Sequence, residues 1–451
     1  MASYALLARM WRNSKTGLLL AILMAASMWF YFQRVLVPYQ RSDAAAHDRP
    51  RGNLSDLYPR WWGAHELLLH GRDPYSPEIT REIQAGYYGR TLDPARPGDP
   101  KDEQGFAYPV FVVFLLAPTI HWPFPEVQRG FVILLWVLTA ASTPLWLHAL
   151  RWRPSKWLTA ILVVLMLGSL PTVQGIKLQQ LTLVVAAMLA GAAAAVSSGY
   201  FILAGCLLAL STIKPQLVCL PALWLLLWTL RDWRRRQRLA WAFAATSLLL
   251  LTGAQWVLPG WIASFRAAIE NYHRYTQNVS VLGWLLTPLG GDIAAVGLLL
   301  LVSWLSWPFL AENEESPGFS AALAAVLALA VVVVPMFAPY NQVLLLGPVL
   351  ALCHSGQPRN QKRSTRLIVG VAVLFVLWPW IATVTLMLGS LVLPPVVIQG
   401  WWKLPFVASL VMPIFIFVLT AIWSARLRFT PASAAGPSDP QAQAIPVIGT
   451  R

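Results

Sequence analysis

An all-α polytopic membrane fold follows from three features of the sequence. The 451-residue chain is 57% hydrophobic and 12% charged. Its apolar runs, such as "LAWAFAATSLLLLTGAQWVL", reach about twenty residues, the length a helix needs to cross a bilayer core. These runs are continuous rather than alternating, so their backbone hydrogen bonds must close within helices and not around a barrel.

The first run, Gly17 to Val37, is about twenty-one residues long, enough to span. No small-residue cleavage site follows it, so it reads as an uncleaved first helix. A polar interval from 38 to 107 comes next, too long for an ordinary connection and therefore expected to be functional. Inside it, "NLSDLYPRWWGAHELLLHG" places Leu54, Leu57, Trp61, Ala64, Leu67 and Leu68 at helical spacing, with Gly71 and Pro74 as a stop signal. This predicts an amphipathic helix lying in the membrane interface, where tryptophan also prefers to sit. "TLDPARPGDPKDEQG" reads as irregular from its Pro and Gly content.

Tyr108 to Thr119 is a short apolar segment bounded by prolines, and Gly130 to Leu150 spans fully. Apolar runs follow at Leu158–Leu170, Leu181–Val196 and Phe201–Leu230, the last interrupted by "IKPQ". Further helices are expected at Leu239–Leu258, Asp292–Leu310, Ser320–Met336, Val343–Cys353, Leu367–Leu388 and Leu404–Trp423. The total is about twelve spans in one transmembrane unit over 1–429. The Pro-, Ala- and Ser-rich tail 430–451 is expected to be disordered. If Tyr108–Thr119 crossed, "RWRPSK" would lie outside against the charge rule; as a half-helix that does not cross, it would leave "RWRPSK" inside.

A net charge of +15 could suggest nucleic acid, but the basic residues stand in short clusters beside apolar runs. The clusters are Arg9, Arg12 and Lys15; "RDWRRRQR" from Arg231; "RNQKRSTR" from Arg359; and Arg426 with Arg428. Positive-inside placement puts all four, and both termini, in the cytoplasm. Eleven of the nineteen acids fall between Asp43 and Glu103, where they outnumber Lys and Arg, so the long interval is the first extracytoplasmic loop. The same alternation puts "ENYHRYTQNVS" and "APYNQ" on the outer side and "AENEESPG" inside. Cys206, Cys219 and Cys353 all fall in apolar segments, so none can staple the loop.

No P-loop, dinucleotide glycine fingerprint or HExxH occurs, and no metal-ligand spacing; neither a cofactor nor a metal is expected. Candidate chemistry lies in polar groups beside apolar runs. Asp56 opens the loop helix, either as an acid favoured by the helix dipole or as a partly desolvated general base. Lys214 in "STIKPQLVCLP" either snorkels to an interface or sits at a helix break facing a polar ligand. Gln174, Lys177, Gln179 and Gln180 form a polar turn or line the same cavity. In the cluster Asn271, His273, Arg274, Tyr275, Asn278 and Ser280, the arginine and histidine could hold a phosphate. Asp292 is expected to cap the helix that follows it.

Together these residues resemble a known pattern. "SDLYPRWWGAHELLLHGRDPY" is similar to the D-x(4)-W/Y-x-x-A-x-x-L-L-x-G-x-x-P-Y segment of glycosyltransferase family 87, the GT-C-type enzymes that use polyprenyl phosphate sugars. "FAYPVFVVFLLAP", "VQGIKLQQLTLVV" and "LLALSTIKPQLVCLPALWLLL" resemble its later motifs in the same order, over about Asp56 to Leu350. Two segments depart from it: Gln174 precedes Gly175 in the glutamine motif, and "FAPYNQVLLL" stands where a mycobacterial mannosyltransferase branch has tryptophan and histidine.

The resemblance implies a membrane glycosyltransferase, mannosyltransferase-like, in the bacterial inner membrane. It would move a hexose or pentose, with inversion, from a polyprenyl phosphate sugar to a lipid or glycan acceptor on the extracytoplasmic face. Asp56 would be the catalytic base. Lys214, Arg274, His273, Gln174, Lys177, Tyr340 and Asn341 would serve the donor phosphate and substrate. Trp61, Trp62 and Tyr75 would meet the acceptor or sugar. The competing classes are a lipid-linked sugar flippase or transporter, an oligosaccharide polymerase or ligase, and a non-catalytic scaffold. A transporter would favour paired halves with matching broken helices; here the large loop occurs once and "IKPQ" has no later counterpart.

Overall fold

The computed structural model describes residues 14–52, 55–276, 279–335, 337–355 and 363–429. Arg9, Arg12, the first part of the cluster at Arg359, Leu54, Asn278 and the tail 430–451 lie outside the described residues. All regular structure among the described residues is helical.

Helix α1 (residues 14–46) begins as the expected first span and runs on past Pro38 to Ala46, through a π-helical turn at Tyr31–Leu36. Its 32 residues from Lys15 reach about 48 Å, well beyond the ~30 Å hydrocarbon layer, so its last turns stand clear of the apolar zone. The loop then folds as a hairpin of α2 (Leu57–His70) and α3 (Pro77–Tyr88). Gly71 stops α2 in the left-handed conformation, φ 67°. The apolar face of α2 does not lie outward in an interface. Leu57, Trp61, Ala64 and Leu67 are buried on protein, against α4 (Val112–Leu116) and Phe124.

Helix α4 has five residues followed by one 3₁₀ turn, about 8 Å of helical rise, so Tyr108–Thr119 does not cross. α5 (Phe124–Ala149) carries the chain to the opposite end of the array. There Arg151 pairs with Glu315 and donates to the Ser197 carbonyl, while Arg235 binds Asn313 and Glu314. "RWRPSK" therefore shares an end with the arginine cluster and with "AENEESPG", and the conflict with the charge rule disappears.

The return path is α6 (Lys156–Leu167) and α7 (Leu170–Leu178), bent by 53°. α8 (Thr182–Ser197), α9 (Phe201–Ser211), α10 (Pro215–Arg231) and α11 (Trp233–Val257) follow, then α12 (Trp261–Thr276) and the short α13 (Val281–Leu285) on the loop end. α14 (Pro288–Ser306) is capped by Thr287, whose Oγ1 accepts from Gly290 N at 3.0 Å; Asp292, the expected cap, lies inside the helix. α15 (Pro317–Val333), a 3₁₀ segment at Pro339–Leu345, α16 (Leu346–His354), α17 (Arg363–Gly389), α18 (Pro395–Gly400) and α19 (Val407–Phe429) complete the array.

Among the described residues six helices are long and apolar enough to cross a membrane, or seven if the bent pair is one span, so this is a multi-pass membrane protein. α8, α9, α10 and α15 are apolar but shorter, and the expected count of about twelve depends on them. α8 and α15, both Ala-rich, are buried on almost every side, as helices apolar all round must be. Their small side chains allow the close approach that drives helix association in lipid. One arginine of the basic cluster serves as a staple. Arg236 is fully buried, 3.7 Å above the Trp228 ring, and donates to the carbonyls of Trp228, Leu310 and Glu312 at 2.8, 3.2 and 2.8 Å.

Candidate active site

A cavity of about 340 Å³ opens at the loop end, where α2, the 102–109 strand of loop, the α7–α8 and α9–α10 junctions, α12 and the 3₁₀ segment at Tyr340 converge. Asp56 immediately precedes α2. Its side chain makes no capping bond to that helix; the carboxylate accepts instead from Gln180 Nε2. The residue is held from behind, since Asp56 N donates to the Leu178 carbonyl at 3.1 Å. The acid is thus turned into the cavity and not spent on its own helix.

Gln180 joins the acid to a cation. Its Oε1 accepts from Lys214 Nζ at 3.0 Å while its Nε2 serves Asp56. Lysine can only donate and a carboxylate only accept, so the amide orientation is forced. Gln179 provides the turn that makes this possible, in the left-handed region at φ 53°, where a residue with a Cβ is uncommon. It is clamped by Ser55 and by donation to the Gln128 carbonyl at 3.0 Å. Gln179 is therefore a support beneath the cavity, and Gln180 is the residue that lines it.

Lys214 occupies the break between α9 and α10, with Pro215 starting the second helix at the one position where its missing N–H costs nothing. The ammonium is buried and also donates to Thr182 Oγ1 at 2.6 Å, which in turn donates to Asn341 Oδ1 at 3.2 Å. It lies 5.7 Å from the Tyr108 ring centroid and 5.1 Å from that of Tyr340, within cation–π range. So Lys214 does not snorkel; it faces a polar cavity.

A second cation was missed from the sequence. Arg60 lies four residues after Asp56 on the same face of α2, donates to the Asp56 carbonyl, and places its guanidinium 4.6 Å over the Tyr108 ring. Burial pushes the Asp56 carboxyl above its usual range, an effect that Asp102 reinforces and that Arg60, Lys214 and the Gln180 bond oppose. Tyr272 and His273 of α12 close the cavity.

Of the other expected site residues, His273 and Tyr340 line this cavity and Asn341 stands behind Lys214. Arg274 does not belong to it: the residue is exposed and donates to Asn271. Gln174 and Lys177 line a different cavity on the other side of Leu178. Trp61 is buried beside Phe124 and donates to the Thr119 carbonyl. Trp62 stacks on His65 and donates to Glu82, and the Tyr75 hydroxyl donates to the Tyr108 carbonyl at 2.6 Å. These three aromatics are committed to building the loop and do not line the cavity that holds Asp56.

His65, Glu66 and His70 bring three metal-type ligand atoms within 4.8 Å of one another near the far end of α2. Arg72, 2.8 Å from Glu66 Oε2, already supplies the positive charge a metal would bring there.

Residues 106–335, half of the chain, match the family model of glycosyltransferase family 87. The chain belongs to glycosyltransferase family 87. That family is of the GT-C class. No curated protein and no solved structure matches the chain. The family 87 stretch supplies Tyr108, Gln180, Lys214, Tyr272 and His273 to the cavity; Asp56, Arg60 and Tyr340 enter from outside its limits.

Proposed function

We propose that this glycosyltransferase transfers a hexose or pentose from a polyprenyl phosphate sugar to a lipid or glycan hydroxyl, with inversion at the anomeric carbon. The single observation that carries the reading is the amide bridge: one carboxylate and one buried ammonium are held on the two ends of Gln180 in one cavity. A base and an anion holder that close together suit a reaction in which a hydroxyl is deprotonated while a phosphate departs.

In this reading the acceptor O–H gives its proton to Asp56 as its oxygen forms the new bond to the anomeric carbon. The bond from that carbon to the phosphate oxygen breaks, and the electron pair leaves on the phosphate. Lys214 and Arg60 face the growing negative charge as preorganised cations. Arg60 takes the part that the sequence suggested for Arg274. The elevated proton affinity of Asp56, caused by burial, suits a general base.

The basic end of the array would face the cytoplasm with both termini, and the cavity the outer leaflet of a bacterial inner membrane. α8, α9, α10 and α15, and the 3₁₀ segment with α16 as one further crossing, would thread the same layer as the longer spans, which brings the count to about twelve. The experiment is transfer of radiolabel by purified protein from a panel of polyprenyl phosphate sugars to a native lipid extract. Label in a glycolipid or glycan from one member of the panel is the expected result. Transfer from nucleotide sugars only would overturn the donor class.

A further inference from the structure

A second cavity, about 850 Å³, lies back to back with the first across the segment that carries Asp56. Leu178 lines the second cavity while its carbonyl holds Asp56 N. The walls are chemically divided. Arg41, Arg49, Arg51 and Lys177 line it, and half-buried Val37 and Tyr39 of α1 with Trp402 supply apolar and aromatic wall. From Val37 to Arg41 the helix rises only about 6 Å.

The positive charge there is poorly matched. Asp43 lies 3.8 Å from Arg49 and also serves His47, and Asp99 is taken up by Arg90. Among the described residues no carboxylate lies within ion-pair distance of Arg41, Arg51 or Lys177. Arg51 spends donors on the Val37 carbonyl and Gln40 Oε1, both neutral, at 2.9 Å. Burial and the neighbouring Arg41 pull its proton affinity down, the sign of a cation lacking a counter-charge. Gln174 Oε1 is buried in the same wall without a hydrogen-bond partner. A buried acceptor of this kind calls for a donor such as a hydroxyl.

We propose that this cavity binds the headgroup of an anionic phospholipid. The phosphate would lie among Arg41, Arg51 and Lys177, a headgroup hydroxyl would reach Gln174, and the acyl end would leave along Val37, Tyr39 and Trp402. Cations suited to phosphate beside apolar wall on the membrane-crossing helix fit a lipid better than a free anion, which would have no use for that wall. The inference does not depend on Asp56 acting as a base.

The test is binding of dihexanoyl phosphatidylglycerol, dihexanoyl phosphatidylcholine and glycerol phosphate to the full chain in detergent, read by calorimetry. The variants are Arg41→Gln with Lys177→Gln, both exposed positions, and Arg129→Gln as a control, since Arg129 does not line the cavity and pairs with Glu126 and a local carbonyl. Phosphatidylglycerol should bind wild type saturably and at least ten-fold more tightly than phosphatidylcholine. The double variant should lose at least ten-fold, Arg129→Gln nothing. Equal affinity for both lipids, an unchanged double variant, or glycerol phosphate binding as tightly as the lipid would each overturn the proposal. Asp56→Asn should bind phosphatidylglycerol as wild type does, which separates this result from any failure of the transfer reading.

Discussion

Asp56 is placed by three hydrogen bonds and tuned by the groups around it. Because burial raises its pKa, the ionised base is lost at a higher pH than for a free aspartate near 3.9. The sign follows: a general base must be ionised, so kcat/KM should fall as pH drops through a midpoint above the ordinary carboxylate range. A pH–rate profile with its acid limb near 4 or lower would contradict this. The Gln180 bond favours the ionised form, so Gln180→Leu should move that limb to still higher pH, along with a ten- to hundred-fold loss of rate from misplacement of base and cation. Lys214→Gln should cost on the order of 10²–10³ in kcat, the usual penalty for removing one charge-stabilising group. Unchanged turnover would reduce Lys214 to a structural role. Asp56 and Lys214 were legible in the sequence because an acid at a helix start and a lysine at a proline break are unusual beside apolar runs. Arg60 was equally exposed to notice, four residues from Asp56, but an arginine on a loop helix has many bland uses. Which glutamine of the adjacent pair faces Asp56 is decided by the left-handed turn at Gln179, which no side-chain pattern announces.

At the scale of elements, hydrophobic runs located the helices, while their ends and partners depended on contacts that spacing does not encode. The apolar run stops at Val37, which suggested an end for the first helix, yet α1 continues past Pro38 with a π-helical turn just before it, one of the adjustments by which helices accommodate proline. The apolar stripe of α2 was visible, but a stripe cannot say whether lipid or protein covers it. α4 supplies the cover. Close helix approaches depend on glycine in the same hidden way. A Cβ on Gly205 of α9 would sit 2.3 Å from the Leu239 carbonyl oxygen and 2.8 Å from Phe243 N on α11. Both are backbone atoms that cannot swing aside, so Gly205→Ala should destabilise by about 1–3 kcal/mol through forced separation of the two helices. Gly130 in α5 has nothing within 4 Å of such a Cβ, and Gly130→Ala should be neutral or stabilising by up to ~1 kcal/mol from helix propensity. Thermal unfolding of the two variants in detergent checks the contrast; equal losses would mean that α9 and α11 do not meet as described.

For the whole molecule, the separation of charge and chemistry is the organising fact. Arg151, Arg235 and buried Arg236 gather at one end with the 312–315 acids, while both cavities open at the end built by the first long loop. By the positive-inside rule we propose that the basic end faces the cytoplasm. In a background with the three native cysteines replaced, Arg96→Cys should react with a membrane-impermeant maleimide on intact cells and Ser198→Cys should not. The opposite pattern would reverse the molecule and place the cavity on the cytoplasmic side, where nucleotide sugars are available and the lipid-linked donor is less apt.

The proposed role of Asp56 is that of base in a lipid-linked sugar transfer. It is tested most directly by comparing sugar transfer from the donor that wild type uses with that of Asp56→Asn, alongside donor binding and thermal unfolding of both proteins. Turnover should fall about 10²–10⁴-fold, the range expected for removal of a general base, with donor affinity and unfolding temperature nearly unchanged. Turnover by Asp56→Asn within a few-fold of wild type would contradict it.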